Sequence, residues 1–103
     1  MADPMRIRAQ LKGDVTEVRV LMAHVMETGQ RKDSAGTVIP ALHIQSVTAT
    51  WNGKPVLSAQ FGPAVSQNPV MNFSFKGGAK GDKVIVSWTD TKGDKRTDEA
   101  VIA

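Results

Sequence analysis

The stretch VTATWNGKPVLSAQF, residues 47–61, decides the fold of this chain. Apolar residues alternate with polar or small ones before the Asn52-Gly53 pair, and they alternate again after it. Side chains two positions apart in a strand point to the same face, so each half reads as a strand with one buried face. Asn-Gly suits a type I′ turn because both central residues of that turn need a positive φ. The stretch therefore predicts a β-hairpin.

The same alternation recurs on both sides of this hairpin, between turn signals rich in glycine and proline. No amphipathic helix pattern interrupts it. A single domain over residues 1–103 is expected from the length, and the all-β pattern predicts an immunoglobulin-like antiparallel β-sandwich of about seven strands. Because the Cys…Trp…Cys framework of immunoglobulin domains is missing, the prediction concerns architecture only. The predicted strands cover residues 6–11, 15–26, 41–51, 55–61, 71–76, 83–89 and 95–102.

The second predicted strand and the segment after it stand out. Residues 15–26 become apolar on both faces toward their end, which indicates a strand covered on both sides. Residues 27–40 contain glycines, a proline and small polar or charged side chains, so we expect an extended loop there. A loop of this length in a small domain is commonly functional or anchored by a partner.

Composition excludes several classes of function. The formal charge is +3, and acidic residues stand beside the basic ones throughout, with no basic stripe between aromatic residues, so nucleic-acid binding is not expected. The chain has no cysteine, hence no disulfide, thiolate metal site or thiol nucleophile. It has no apolar run long enough for a membrane span and no signal peptide. Taken alone it looks cytosolic; a removed signal, or export bound to another protein, stays open.

No enzyme site is expected. Met22, His24 and Met26 form a Met/His stripe that offers soft ligands to copper, but side chains at alternate strand positions lie roughly 7 Å apart and cannot all reach one ion. We therefore expect a packing or interface surface here, with no metal and no cofactor. His43 is expected to be a half-buried polar residue. The glycines of residues 77–81 lack the order of a phosphate-binding loop and predict a hairpin turn.

The segment HVMETGQRKD, residues 24–33, joins an apolar strand end to a mixed-charge cluster. Glu27 and Arg31 fit a simple local ion pair, and a Met-rich patch rimmed by charges equally fits a protein interface. The residues alone leave these two interpretations open. Self-association of the isolated chain through edge strands or Met-rich faces is a further option. The candidate partner-binding residues are Met22, His24, Met26, Glu27 and Arg31.

The pattern H-x-M-E-T-G-x-R-K-D of this segment resembles the signature of the SoxZ family. Further matches follow in order along nearly the whole chain. Val25 departs from the family, whose members often have proline there. The other matching motifs are Arg6-Ile7-Arg8, Asn52-Gly53-Lys54-Pro55-Val56, Pro63-Ala64-Val65-Ser66, Asn68-Pro69, Phe73, Trp88-Thr89-Asp90 and Gly93.

The resemblance implies an immunoglobulin-like sandwich that is the non-catalytic small subunit of a sulfur-carrier heterodimer of thiosulfate oxidation. Its partner, SoxY, carries the sulfur substrate on the cysteine of a C-terminal Gly-Gly-Cys-Gly-Gly arm while other Sox enzymes act on it. Export with SoxY, on the partner's twin-arginine signal, would place the chain in the periplasm. The alternative is a free-standing sandwich that binds a small ligand or a metal ion.

Overall fold

A computed structural model describes residues 3–62 and 65–103 of the chain. These residues form seven strands and no helix, which confirms the predicted all-β sandwich. The Pro63-Ala64 pair of the family motif lies outside the described residues. In the described part of the chain, no helix is long and apolar enough to cross a membrane. The strands are β1 (Arg6–Lys12), β2 (Val15–Leu21), β3 (Ile44–Trp51), β4 (Lys54–Gln60), β5 (Val70–Lys76), β6 (Lys83–Asp90) and β7 (Lys95–Val101).

The strands form two antiparallel sheets. One has the order β1-β2-β5 and the other the order β4-β3-β6-β7. Alternate residues of β2, β3 and β6 point between the sheets, as the period of two requires. Trp88 is the largest of the fully buried side chains and packs among small aliphatic ones. The other large apolar side chains that are fully buried are Val20, Met22, Ile44, Val47, Val84, Val86 and Ile102.

The central hairpin forms as predicted, with Asn52 at φ 48° and Gly53 at φ 79°. It joins β3 to β4, and its register shifts between Ala49 and Thr50, so that Pro55 lies opposite Thr50. Proline lacks an amide hydrogen and is tolerated on an edge strand or beside a bulge. The β-bulge therefore accommodates Pro55 without interrupting the hairpin.

One predicted strand is wrong at its end. The sequence pattern predicts one strand over residues 15–26, but β2 ends at Leu21. Leu21 lies opposite Arg6, the first residue of β1, so β2 has no neighbour beyond it on that side. On the other side the last bond that keeps the register of β2 with β5 runs from the Met22 amide to the Pro69 carbonyl, at 2.9 Å. Because Pro69 has no amide hydrogen to return, the ladder ends there.

Candidate partner-binding site

The candidate site lies where the chain leaves β2 and turns into the loop of residues 27–40. Met26 is the centre of this turn, at φ 51°, a conformation that residues other than glycine adopt rarely. Its side chain is buried, and its sulfur accepts the amide hydrogen of Ile44 at 3.3 Å. Glu27 and Leu42 then exchange two backbone hydrogen bonds, of 2.7 and 3.0 Å. The turn is therefore fixed to the start of β3 by side chain and backbone together.

His24 fixes the same turn from inside. Its Nδ1 accepts the amide hydrogen of Met26 at 3.0 Å, so the proton of the neutral ring is on Nε2. Nε2 lies 3.1 Å from Oδ2 of Asp90, to which it donates. The ring meets Trp88 edge-on, with centroids 5.1 Å apart at 89°. Both nitrogens of His24 are thus engaged within the chain.

Asp90 connects this turn to the hairpin between β6 and β7. While Oδ2 accepts from His24, Oδ1 accepts the amide hydrogens of Lys92 at 3.0 Å and Asp94 at 2.9 Å. Burial is the largest single influence and raises the pKa of Asp90, but the hydrogen bonds from His24, Asp94 and Lys92 together outweigh it and hold the pKa below its ordinary value. Asp90 is therefore an ionised, buried acceptor that joins two segments distant in sequence.

A second link runs to the segment before β5. The Asn68 side chain accepts the amide hydrogen of His24 at 3.0 Å, and its own backbone amide donates to the His24 carbonyl at 2.9 Å. Asn68 has φ 51°, which suits asparagine better than most residues. The end of the sandwich thus gathers residues 22–31, 65–69 and 88–94, three segments that each contain a motif of the family resemblance.

The outer part of the site is charged and accessible. Arg31 donates two hydrogen bonds to the Glu27 carboxylate, of 2.6 and 3.1 Å. The hydrogen bond from Arg31 is the main cause that lowers the pKa of Glu27. The Arg31 side chain is 65% exposed and that of Glu27 only 17%. A groove of about 600 Å³ separates this pair from residues 65–67, and Val25, 50% exposed, lines it.

The loop beyond Arg31 is held by its own backbone. Ile39 donates to the Arg31 carbonyl at 2.8 Å, and Lys32 and Val38 form an isolated antiparallel bridge. At the tip, one oxygen of Asp33 accepts two amide hydrogens, as in an Asx turn. The prediction of a loop over residues 27–40 holds, since no strand forms there, and the structure adds that the loop is pinned along its length.

The structure distributes the five predicted partner-binding residues between the interior and the surface. Met22 is 2% exposed and Met26 5%, so both belong to the core, and the His24 side chain is 6% exposed. Glu27 and Arg31 lie at the groove. The Met/His stripe is not the face of one strand, because β2 ends before it. Contact of any of the five with a partner stays a prediction.

The stripe also offers no free set of metal ligands. His24 uses both ring nitrogens, and the Met26 sulfur faces the Ile44 amide. Among residues 3–62 and 65–103, no three His, Asp or Glu side chains lie close enough together to hold a metal ion. His43 is half-buried, as expected, and its Nδ1 lies 3.0 Å from the Ile44 carbonyl.

The predicted strands end at residue 89 and resume at residue 95, so sequence reasoning placed Asp90 in the connection between them and missed it as the partner of His24. Asp90 is the last residue of β6, and its Oδ1 does close that hairpin by accepting the amide hydrogens of Lys92 and Asp94. It also missed Asn68 as the residue that ties the segment before β5 to His24. The Asn68-Pro69 pair predicts an irregular connection, and the positive φ of Asn68 agrees with that.

Comparison with solved structures supports the fold. A superoxide reductase crystallised in its oxidised state is 15% identical, with a TM-score of 0.68 over 99% of this chain and 89% of that chain. A hypothetical protein from Pyrococcus horikoshii OT3 is 18% identical, with a TM-score of 0.69 over 99% and 89%. A superoxide reductase (neelaredoxin) from Archaeoglobus fulgidus is 19% identical, with a TM-score of 0.58 over 97% and 86%. At such identities the likeness shows a shared fold alone.

Family comparison is more specific. None of the curated proteins matches this chain significantly. The model of one protein family, described as sulphur oxidation protein SoxZ, matches residues 5–101. This range includes both sheets and all three segments gathered at the candidate site. The chain therefore belongs to the SoxZ family and has a role in sulfur oxidation.

Proposed function

We propose that this chain is the non-catalytic subunit of a periplasmic sulfur-carrier complex, in which it binds SoxY. The family match over residues 5–101 carries the proposal. The sequence contains no cysteine, so the sulfur substrate needs a thiol from another chain. In this proposal SoxY supplies that thiol on its flexible arm during thiosulfate oxidation. The SoxZ-family chain covers part of SoxY and presents the arm to successive enzymes.

The end of the sandwich supports a binding role. Its outer rim combines an accessible arginine, Arg31, with the exposed apolar side chains of Val25 and Val38, which are 50% and 49% exposed. Arginine beside apolar surface is typical of protein interfaces, where it anchors a partner through hydrogen bonds and stacking. The groove between Arg31 and residues 65–67 gives a partner segment room to enter.

The five candidate residues then divide into two roles. Arg31, and Glu27 through it, would contact SoxY, because they reach the groove. Met22, His24 and Met26 would act from the interior by fixing the turn that presents them. Substitution of a buried residue such as Met26 by aspartate would unfold the chain and so would not test contact.

Binding to SoxY can be measured with both proteins from the same source, by titration of labelled SoxY. Arg31→Glu should weaken binding by tenfold or more, which corresponds to about 1.4 kcal/mol. Lys95→Glu changes the net charge equally at an exposed residue on β7 and should leave affinity unchanged. Thermal unfolding of both variants shows that the chain stays folded.

The two parts of the proposal fail differently. If the unmodified chain does not bind SoxY at all, the proposed function is wrong. If it binds and Arg31→Glu binds equally well, only the placement of the interface is wrong.

Export can be tested separately. The chain should appear in the periplasmic fraction of cells that make SoxY with an intact twin-arginine signal, and should stay in the cytoplasm when the two arginines of that signal are replaced by lysine. Periplasmic recovery in both strains would contradict export bound to SoxY.

A further inference from the structure

The solvent-facing side of the β1-β2-β5 sheet gathers basic residues that are scattered in the sequence. Register places Arg8 of β1, Arg19 of β2 and Asn72 of β5 in one row across the sheet. The neighbouring row contains Arg6, Leu21 and Val70, all of them exposed. Three arginines therefore lie close together on one flat face.

The whole face is unbalanced in charge. It carries five cationic side chains and one anionic one, a formal charge of +4, whereas the entire chain carries +3. The one acid, Glu17, lies in the row next to that of Arg8 and Arg19, and it pairs with Lys12 at 3.3 Å. Among the described residues, none of the three arginines has an ion-pair partner or a side-chain hydrogen bond. The cationic residues are Arg6, Arg8, Lys12, Arg19 and Lys76.

Arg8 and Arg19 are direct cross-strand partners, an arrangement that disfavours the folded state because like charges lie opposite each other. The Leu11 amide donates to the Ala103 carbonyl, and the Ala103 amide donates to the Ala9 carbonyl, so the backbone groups of Ala9 and Leu11 point away from β2. Because these groups alternate in direction along a strand, those of Arg8 point toward β2, and Arg8 and Arg19 form a hydrogen-bonded pair. Their Cα atoms are then roughly 5.5 Å apart. Such a local conflict in a folded chain points to a function that needs the charge.

From this arrangement we infer that the outer face of the β1-β2-β5 sheet docks the acidic surface of a second protein. Arginine binds carboxylates through two parallel hydrogen bonds, so adjacent arginines suit a surface with several carboxylates. Leu21 and Val70, 39% and 51% exposed, add apolar contact beside Arg6. A depression of about 480 Å³, whose lining includes Arg8, Arg19 and the Lys12-paired Glu17, gives room for side chains of the partner.

A protein fits this face better than a nucleic acid. Surfaces that bind single strands place aromatic side chains between their basic residues, and the exposed positions of β1, β2 and β5 include no aromatic residue. The row of Arg6, Leu21 and Val70 adjoins Met22 and Pro69, where the candidate site begins. The inference goes beyond binding of SoxY and does not depend on it, because it concerns charge on another part of the chain.

The test is a titration of the 15N-labelled chain with a short glutamate-rich peptide, followed by amide chemical shifts. The expected result is a set of shifts on β1, β2 and β5 that weakens as salt is raised. Arg8→Gln/Arg19→Gln should weaken binding about tenfold. Lys80→Gln/Lys95→Gln removes equal charge from exposed positions outside this face and outside the candidate site, and should bind as the unmodified chain does.

Other outcomes overturn the inference. An equal loss of affinity for the peptide in both double variants would show that binding depends only on net charge. Shifts of the same residues by sulfate or thiosulfate alone, at concentrations that displace the peptide, would assign the face to a small anion. Tighter binding of single-stranded DNA than of the peptide would assign it to nucleic acid. Absence of shifts on β1, β2 and β5 would remove the docking surface altogether.

Discussion

Replacement of Asp90 by asparagine should destabilise the chain although the two side chains have the same shape. If the asparagine oxygen keeps the amide hydrogens of Lys92 and Asp94, its NH2 group faces the N–H of His24 across about 3.1 Å. If His24 moves its proton to Nδ1, that proton faces the amide hydrogen of Met26 instead. Either way two buried donors meet. An unsatisfied buried donor costs about 1–3 kcal/mol, so a loss of that size is expected in the free energy of unfolding.

Urea unfolding monitored by tryptophan fluorescence measures this loss. The matched control is Asp94→Asn, at an exposed residue whose side chain accepts only the amide hydrogen of Lys95 within the described chain. It should change the free energy of unfolding by less than about 0.5 kcal/mol. Long-range 1H–15N spectra should show the His24 proton on Nε2 in the unmodified chain. In Asp90→Asn the 15N chemical shifts of the His24 ring nitrogens should change.

Equal stability of Asp90→Asn and Asp94→Asn would refute the reasoning. So would an unmodified chain whose neutral His24 carries its proton on Nδ1, because that tautomer cannot accept from the Met26 amide. In either case the turn after β2 would have to be held by the Met26 sulfur, the Glu27–Leu42 bonds and the bonds of Asn68 to the His24 backbone, without the His24 ring.

Arg8→Glu should raise the free energy of unfolding by about 0.2–1 kcal/mol in urea unfolding, because it turns the repulsion with Arg19 into an attraction, even as it weakens binding of the acidic peptide. Gly78→Ala should lower the melting temperature well beyond Gly36→Ala. Both glycines have positive φ, but a methyl group at residue 78 would overlap the buried Thr16 hydroxyl, whereas one at residue 36 would meet no atom. The free energy of unfolding of the two variants should therefore differ by about 1–3 kcal/mol. The hydrogen bond from Arg96 is the main cause that holds the pKa of Asp98 below its ordinary value of 3.8 in the folded chain. The stabilisation by ionised Asp98 is therefore fully present above pH 3.8 and is lost as the pH falls through the lower folded-state pKa. Acid unfolding curves should therefore be shallower in Asp98→Asn than in the unmodified chain.

The sequence predicts the strands well because side-chain alternation reports burial. It misplaces the end of β2 for the same reason. Met22 and Met26 continue the buried positions of Val18 and Val20, and all four are buried in the structure. Alternation cannot show that the backbone has left the sheet, because the end of the ladder depends on where β1 begins and on a proline in another segment, Pro69.

The candidate site could be predicted only in part. The resemblance located residues 24–33, and the local ion pair of Glu27 with Arg31 was one of two interpretations of their spacing. The bond of His24 with Asp90 joins residues 66 positions apart, and no local pattern signals it. The basic face was missed because its arginines alternate with apolar residues, so that the charges appear dispersed. Only the register of β1 against β2 brings Arg8 and Arg19 together.

The buried network and the exposed rim of the site serve one purpose if the proposed function holds. A partner that binds a loose loop must first order it, and this ordering reduces affinity. Here His24, Asp90 and Met26 fix the loop during folding, so Arg31 is presented to the partner in a set position. Residues that never touch the partner can therefore govern its affinity. Under the proposed function, the same arrangement would explain why the motif includes buried residues: its inner members hold the backbone, and its outer members would make the contact.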